Sequence, residues 1–324
     1  MRVEFGPIFE LLTITQALLY KRHHSYYDLG REWFAKVARE SPETFELLRG
    51  FLGGSAMVWD HLFGLATEVD PRHDIGSFVK HVAGMDAAEL RLELLGRRYR
   101  HMQRTVGFER LEAAAAGNAT AQRDMLRLAW PEDSAWQTGL RELLKAPAAK
   151  TKADLVAVLG GLERDLARYV ETSLPALEAD AAEKHELAGE LAPLGLIKAA
   201  IDTAYTPSAD VQRVALIPSF VVRPMVYYFE FTDQMLFVYP VSDRQAAALG
   251  IGPPDRLVRL AFALGDRGRL RILEVLKERG MTLKEIGEEL SVPRSTLRHH
   301  MSILRIAGLV RTVATARPPS ARRR

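Results

Sequence analysis

Apolar residues recur at intervals of three and four along roughly the first 145 residues, and this spacing predicts a series of amphipathic helices. The same spacing continues from about Thr151 as a seam of about three heptads. The apolar positions of the seam are Leu155, Leu159, Leu162, Leu166, Tyr169 or Val170, and Leu174. We predict a long helix that packs onto the chain's own helical domain in preference to a second copy. Pro175 should kink or end it.

The pattern changes after about residue 211, where β-branched and aromatic residues become frequent. Segments 211–217, 225–231 and 234–239 have the composition of strands, and Thr232-Asp233 suits a hairpin turn. We predict a small antiparallel meander of three strands at about 211–241. Its aromatic side chains either line a ligand pocket or cover the helices, and we favour the second. These side chains are Phe220, Tyr227, Tyr228, Phe229, Phe231, Phe237 and Tyr239.

The composition is that of a globular chain, since 48% of the 324 residues are hydrophobic and 26% are charged. The absence of cysteine excludes disulfides, thiolate metal sites and a cysteine nucleophile, and is typical of a reducing cytoplasm. No apolar run approaches the ~18 residues of a membrane span, and the first residues lack the apolar core of a signal peptide. We therefore predict a cytoplasmic protein that does not contact membranes.

Charge is divided unevenly along the chain, and the best domain boundary, a Gly-Pro-Pro run at 252–254, separates the two parts. Residues 255–324 contain 16 Lys and Arg but only 7 Asp and Glu, whereas the whole chain has a formal net charge of +3. The preceding part is therefore mildly acidic. A basic module of this size is typical of proteins that bind polyanions, and the alternative is a solubilising tail.

The pattern inside the basic module favours polyanion binding. Thr282 and Glu285 have the spacing of a capping box at the start of a short helix, and a turn at 291–293 follows that helix. Four helices and a strand are predicted, at about 255–264, 266–279, 282–290, 294–306 and 309–313. This order of elements is that of a winged helix-turn-helix domain, which places one helix in the major groove of DNA.

The fourth of these helices has an apolar and a polar face when residues are placed 100° apart. The apolar side consists of Leu297, His300, Met301 and Leu304, and the outward side of Ser295, Arg298, His299 and Ser302. Arg298 suits a guanine edge, a contact worth about 1–3 kcal/mol of discrimination. Phosphate contacts are expected from Lys284, Arg305 and Arg311. The full set of predicted DNA-binding residues is Lys284, Arg294, Ser295, Thr296, Arg298, His299, Ser302, Arg305 and Arg311.

Over about 60 residues the module resembles the ArsR-type (ArsR/SmtB-like) winged-helix repressors. The motifs that carry the resemblance are Ala263-Leu264-Gly265-Asp266, Arg269-Leu270-Arg271-Ile272-Leu273, Leu283-Lys284-Glu285-Ile286, Ser295-Thr296-Leu297-Arg298-His299-His300-Met301, Leu304 and Ala307-Gly308-Leu309-Val310. The resemblance implies a homodimer that binds double-stranded DNA at an inverted-repeat operator. It also implies repression until an inducer binds.

Three features depart from that family. Its cysteine metal motif is absent from the third helix, at 286–290, so metal sensing through thiolates is not expected. The second wing strand and the closing dimer helix are missing, and an arginine-rich tail occupies 316–324. About 250 extra residues precede the module, although long N-terminal regions do occur in some members of the family.

Histidines and carboxylates elsewhere do not have the spacing of a metal site. The candidates are His23-His24, Asp60-His61, His73-Asp74, His81 and His299-His300. None of them has a His-x-x-x-His spacing with a third ligand, and adjacent helical positions such as 299 and 300 diverge by about 100°. Surface or capping roles are the favoured interpretation of the first four. We predict no metal and no cofactor.

We predict a mainly α protein in three parts. Residues 1–250 form a helical effector or dimerisation domain with the small β-meander, 255–315 the winged helix-turn-helix DNA-binding domain, and 316–324 a basic tail. The predicted function is a sequence-specific transcriptional regulator, a repressor and homodimer with a small-molecule effector, and not an enzyme. Two alternatives stay open: an enzyme of unknown reaction with a DNA-targeting appendage, and an architectural or protein-binding winged helix.

Overall fold

The computed structural model describes residues 1–69, 74–130, 135–201, 205, 210–250 and 254–310. Within these ranges the chain is mainly helical, with a small sheet and four C-terminal helices, and the predicted fold class is confirmed. The helices are α1 (Pro7–Leu19), α2 (Gly30–Glu40), α3 (Pro42–Gly50), α4 (Met57–Ala66), α5 (Ile75–Gly84), α6 (Ala87–Leu94), α7 (Arg100–Thr105), α8 (Phe108–Ala115), α9 (Ala119–Ala129), α10 (Ala135–Lys145), α11 (Ala148–Glu190), α12 (Pro193–Ile201), α13 (Asp243–Ala248), α14 (Pro254–Leu264), α15 (Arg267–Glu278), α16 (Leu283–Leu290) and α17 (Arg294–Ile306). The strands are β1 (Arg2–Val3), β2 (Arg213–Ser219), β3 (Tyr227–Glu230) and β4 (Gln234–Pro240). Two 3₁₀ helices span Lys21–Tyr26 and Phe51–Gly54. No helix among the described residues combines the length and the hydropathy needed to cross a membrane.

The helix α11, 43 residues long, organises the part of the chain before residue 251, which we call the body. Its first half buries the predicted seam against α1, α3, α5 and α6, which confirms packing within the chain. The helix continues through Pro175, so of the two predicted effects of that residue, a kink or an end, the end is wrong. Beyond it, Leu177 packs with Val241 and Ala246, and Ala181 packs against the sheet. We attribute the continuation to burial on both sides, which outweighs the ~3 kcal/mol that an internal proline costs.

The sheet is mixed, with strand order β1-β2-β4-β3, so the predicted antiparallel meander is wrong. β2 runs parallel to β4, and β1 runs parallel to β2. Only β3 and β4 form the predicted hairpin, in which Phe229 pairs with Leu236. Alternation along a strand specifies which face is buried but not which neighbour the strand has, and both faces of this sheet are covered. A parallel arrangement suits a sheet covered on both faces.

The aromatic residues of the sheet fill the core on both of its faces, as the favoured interpretation predicts. Phe229 and Phe231 belong to the large cluster around α1 and α4, and the Phe229 ring stacks on Phe63 with 4.5 Å between centroids. Phe237 and Tyr239 belong to a second cluster with α12 on the opposite face. Tyr228, on the edge strand, is 62% exposed. The sheet therefore anchors α1, α11 and α12 to one another.

A buried carboxyl group connects α1 to the loop after β2. Glu10 is almost completely buried, and its Oε1 accepts hydrogen bonds from the backbone N–H groups of Phe220 and Val221, each at 3.1 Å. Burial raises the pKa of Glu10 to about 7, because removal from water disfavours the charged form. These two hydrogen bonds hold the start of the loop that leads to Arg223.

The raised pKa of Glu10 makes the folded chain less stable as the pH rises. Between about pH 4.5 and pH 7 the folded state keeps a proton that the unfolded state releases, so stability is lost through that window, by roughly 3 kcal/mol in total. We expect Glu10→Gln, which stays neutral, to be more stable than the wild type at pH 8 and nearly equal to it at pH 4.5. Urea unfolding followed by tryptophan fluorescence measures both.

Glu109→Gln, at an exposed position on α8, is the matched control for the loss of one carboxylate. A Glu10→Gln protein that is less stable than the wild type at pH 8 would show that the ionised carboxylate is needed by the loop.

Candidate nucleic-acid interface

The C-terminal helices α14 to α17 surround a small core of their own. Its buried members are Ala263, Ile272, Ile286, Leu297, Ile303 and Leu304. Between α16 and α17 the chain turns at Ser291, whose φ of 53° is in the left-handed region, and the Val292 N–H donates to the Gly287 carbonyl at 3.1 Å. Two helices joined by a three-residue turn over a shared core form a helix-turn-helix.

The ends of these helices are satisfied by local hydrogen bonds. The predicted capping box of α16 is confirmed: the Thr282 N–H donates to Glu285 Oε2 at 2.6 Å, and the Glu285 N–H donates to Thr282 Oγ1 at 3.3 Å. The bond from the Thr282 N–H favours the charged carboxylate and lowers the pKa of Glu285. Asp266 caps α15 by accepting from the Arg269 N–H at 2.9 Å. The buried Arg269 in turn donates from Nε to the Ala263 carbonyl at the end of α14, at 2.8 Å.

The helix α17 has the boundaries and the two faces that its sequence predicts. Leu297 and Leu304 are fully buried, and His300 and Met301 are half-buried beside them. Ile303 is buried as well, which the two-face division did not predict. On the outward side, Arg294, Ser295, Thr296, Arg298, His299 and Arg305 are exposed. A polar and basic face therefore projects from a helix that is firmly seated by its apolar side.

Three of the predicted DNA-binding residues do not belong to the exposed set on α17. Ser302 is half-buried, and its hydroxyl donates to the Arg298 carbonyl of its own helix at 2.9 Å, which leaves only its lone pairs for a base edge. Lys284 is 84% exposed on α16, with Nζ 3.8 Å from the Glu288 carboxylate. Arg311 lies outside the described residues, together with most of the predicted strand at 309–313 and the tail at 316–324.

A body residue that the sequence analysis missed contacts the outward face of α17. The Tyr26 hydroxyl lies 3.4 Å from His299 Nδ1, although 273 positions separate the two residues. Tyr26 is the last residue of the first 3₁₀ helix and is half-buried, while His299 is exposed. No local pattern in the sequence indicates a contact between such distant segments, so only the folded chain reveals it.

Two residues after Tyr26, the buried Asp28 joins the body to α14. Its side chain is 4% exposed, and Arg223 Nε donates to its Oδ2 at 3.1 Å. Arg259 of α14 donates from Nη1 to the other oxygen, Oδ1. Arg223 also donates to Asp243 Oδ1 at 2.7 Å and to the Val241 carbonyl. One buried carboxylate is therefore shared between an arginine of the body and an arginine of the C-terminal helices.

Among the metal candidates, Asp60 and His61 are buried inside the fold, and no group of three potential ligands occurs among the described residues. His61 donates from Nδ1 to the Leu94 carbonyl at 2.7 Å, and burial lowers the pKa of His61 to about 4, so the ring is neutral. Asp60 accepts from Gln16, and burial raises the pKa of Asp60 well above its ordinary value. The predicted surface or capping role is therefore wrong for this pair, which is buried. His73 lies outside the described residues.

Comparisons with known proteins agree with this geometry. Residues 264–313 match the family described as "Helix-turn-helix domain". A stretch of 58 residues is 46% identical to an uncharacterized HTH-type transcriptional regulator of Methanocaldococcus jannaschii, a match that covers 18% of this chain and 65% of the relative. No solved structure matches the chain significantly. The chain therefore contains a C-terminal helix-turn-helix domain, and the comparisons describe only that part.

Because two arginines share the carboxylate of Asp28, replacing the acid and replacing one arginine should have unequal effects on stability. Asp28→Asn removes the negative charge between two guanidinium groups and turns an amide N–H toward one of them, and we expect a loss of about 3–5 kcal/mol in the free energy of unfolding. Arg259→Gln should cost less, because Asp28 keeps Arg223 as a partner. Urea unfolding followed by tryptophan fluorescence compares the two variants. Equal losses, or no loss with Asp28→Asn, would contradict this account of the bridge.

Proposed function

We propose that this protein is a sequence-specific DNA-binding transcriptional regulator that acts as a repressor. One observation carries the proposal: a basic and polar face is exposed on the second helix of a helix-turn-helix, and buried leucines hold that helix in place. The HTH-type regulator that matches the same part of the chain supports it. In this proposal 255–315 is the winged DNA-binding domain, 1–250 is the effector or dimerisation domain, and 316–324 is a basic tail.

On this proposal α17 enters the major groove, where the base edges differ in their hydrogen-bond donors and acceptors. Arg298, exposed on the outward face, has the planar fork that matches the O6 and N7 acceptors of guanine. Ser295, Thr296 and His299 supply shorter donors and acceptors beside it. The exposed cations around them, Lys284, Arg294 and Arg305, lie where groove phosphates pass, and Arg311 has the same role by its place in the sequence.

We propose that the protein works as a homodimer and that α14 supplies part of the dimer surface. Leu257, Val258 and Phe262 are 71%, 62% and 61% exposed, and they lie within an arc of about 140° around α14. Leu270 of α15 is 46% exposed. A large apolar face on a soluble chain is unfavourable unless a partner covers it. Two-fold pairing through α14 would present two copies of α17 to an inverted repeat with half-sites about 34 Å apart.

In this proposal, regulation acts by changing the distance between the two copies of α17 in the dimer. A small molecule bound by the body would favour one relative position of the two α17 helices, and its binding energy would shift the population between competent and incompetent dimers. The chain has no cysteine, so the proposal does not include sensing of metals through thiolates. The function assigned to the chain is binding, without a catalytic step.

The assignment of the reading face predicts the behaviour of Arg298→Ala. We expect binding to the promoter DNA of its own gene to weaken by about 10- to 100-fold, because a bidentate guanine contact is lost. Binding to random DNA should stay nearly the same, since it depends on phosphates. Fluorescence anisotropy titrations on both DNAs measure the ratio.

Lys284→Ala is the matched control for the loss of one exposed cation near the groove. It should weaken binding to both DNAs alike and lower the slope of log K against log salt by about 1. If Arg298→Ala bound promoter DNA as tightly as the wild type, the assignment of the reading face would be wrong.

The proposed dimer surface predicts that Val258→Glu converts the protein into a monomer, because the charge would have to be buried without a partner. Sedimentation equilibrium should give twice the chain mass for the wild type and the chain mass for the variant. Leu47→Glu, at an apolar position of α3 that is 48% exposed, is the control and should stay dimeric. If the Val258→Glu protein dimerised with the same affinity as the wild type, the dimer surface would have to lie elsewhere.

A further inference from the structure

The first 3₁₀ helix and the start of α2 form one surface of the body beside α17. We call residues 21–31 the 3₁₀ segment. Its Tyr26 hydroxyl is 3.4 Å from His299 Nδ1 on the outward face of α17. Ser295, Thr296, Arg298 and His299 all stay exposed. The segment therefore lies beside the outward face of α17 and does not cover it.

The position of the 3₁₀ segment relative to α17 is held by a buried ion pair. Asp28 belongs to the segment, and its carboxylate binds Arg259 of α14, whose neighbour Ala263 lies in the same small core as Leu297 of α17. Since Asp28 is also bound to Arg223, the body, α14 and α17 are connected through one carboxylate. The segment is thereby fixed next to the helix that we propose to enter the groove.

Two exposed side chains of the 3₁₀ segment are cationic. Lys21 and Arg31 are exposed, and among the described residues no carboxylate forms an ion pair with either of them. Lys21 Nζ lies 5.5 Å from the centre of the Phe45 ring, and Arg31 Nη2 donates to Ser25 Oγ at 3.5 Å. Burial lowers the pKa of His24, and the positive charges of Lys21 and Arg31 lower it further.

The dimensions of DNA bring these cations within reach of a phosphate strand. A 3₁₀ helix rises about 2 Å per residue, so Lys21 lies about 10 Å along the segment from Tyr26. The major groove is about 12 Å wide and is bordered on each side by phosphates. When a helix occupies the groove, a segment in contact with its outward side chains lies against one of those borders.

We propose that the 3₁₀ segment binds the phosphate backbone of DNA beside the groove that α17 enters, so that the body is part of the DNA interface. This inference rests on the proposed function. Lys21 and Arg31 supply the charge, and the Ser25 and Tyr26 hydroxyls are hydrogen-bond donors of the kind that phosphate oxygens accept. Such contacts add affinity and fix register, and they do not depend on the base sequence.

The test is the double variant Lys21→Gln/Arg31→Gln in the full chain. Each cation that contacts a phosphate contributes about 0.9 to the slope of log K against log salt, so the slope should fall by about 2. Affinity for promoter and random DNA should fall by the same factor at a fixed salt concentration. Anisotropy titrations on both DNAs at several salt concentrations measure the slope of log K against log salt and the preference for promoter DNA. A thermal melt checks that the variant is folded.

The matched control is Lys145→Gln/Lys150→Gln, which removes the same charge from two exposed lysines at the end of α10 and the start of α11. Its salt slope should stay that of the wild type. An equal loss in both double variants, an unchanged slope in the test variant, or tighter binding, which would mean that the segment obstructs DNA, each overturns the inference. These outcomes leave the proposed function in place if the wild type prefers promoter DNA, whereas a wild type that binds no DNA overturns both.

Discussion

The carboxylate of Asp28 is the point on which the arrangement of the two parts of the chain depends. It is buried, and it is bound by one guanidinium from the loop after β2 and by another from α14. A buried charge is very costly unless it is paired and hydrogen-bonded, so separating the parts would leave charged groups without partners. The bridge therefore favours a single placement of α14, and with it of α17, against the body.

That bridge is itself supported from the interior of the body. Glu10 of α1 accepts two backbone hydrogen bonds from the start of the loop that follows β2, and Arg223 lies two residues further on. The loop is thus held by a buried carboxyl at one end and by Asp28 at the other. Its position depends on the packing of α1 against the sheet as well as on the C-terminal helices, which gives a physical connection between the core of the body and the proposed reading helix.

The C-terminal helices have only a small core, with six buried apolar side chains among the described residues. A core of this size gives limited independent stability, and small domains commonly depend on additional constraints. Here the constraints are local caps at Asp266, Thr282 and Glu285 and the attachment of α14 to the body. Seating on a larger body also explains how Tyr26, far away in the sequence, comes to contact the outward face of α17.

Local patterns in the sequence were sufficient to predict much of the structure of this protein. Helical spacing predicted α17 to its last residue, the Thr282 and Glu285 pair predicted the capping box of α16, and the seam of α11 predicted which side of that helix is buried. These features depend on neighbours three or four residues away, and such neighbours meet in any helix. For the same reason the exposed positions of the proposed reading face, including Arg298, were predictable before the fold.

Features that depend on contacts between distant segments were decided only by the tertiary structure. The parallel pairing of β2 with β4, the passage of α11 through Pro175, and the burial of Asp60 and His61 all result from packing that no local pattern encodes. The Tyr26–His299 contact and the Asp28–Arg259 bridge join residues more than 200 positions apart. Spacing along a chain determines which side chains share a face of a helix or strand, but which faces meet is determined by how the whole core closes.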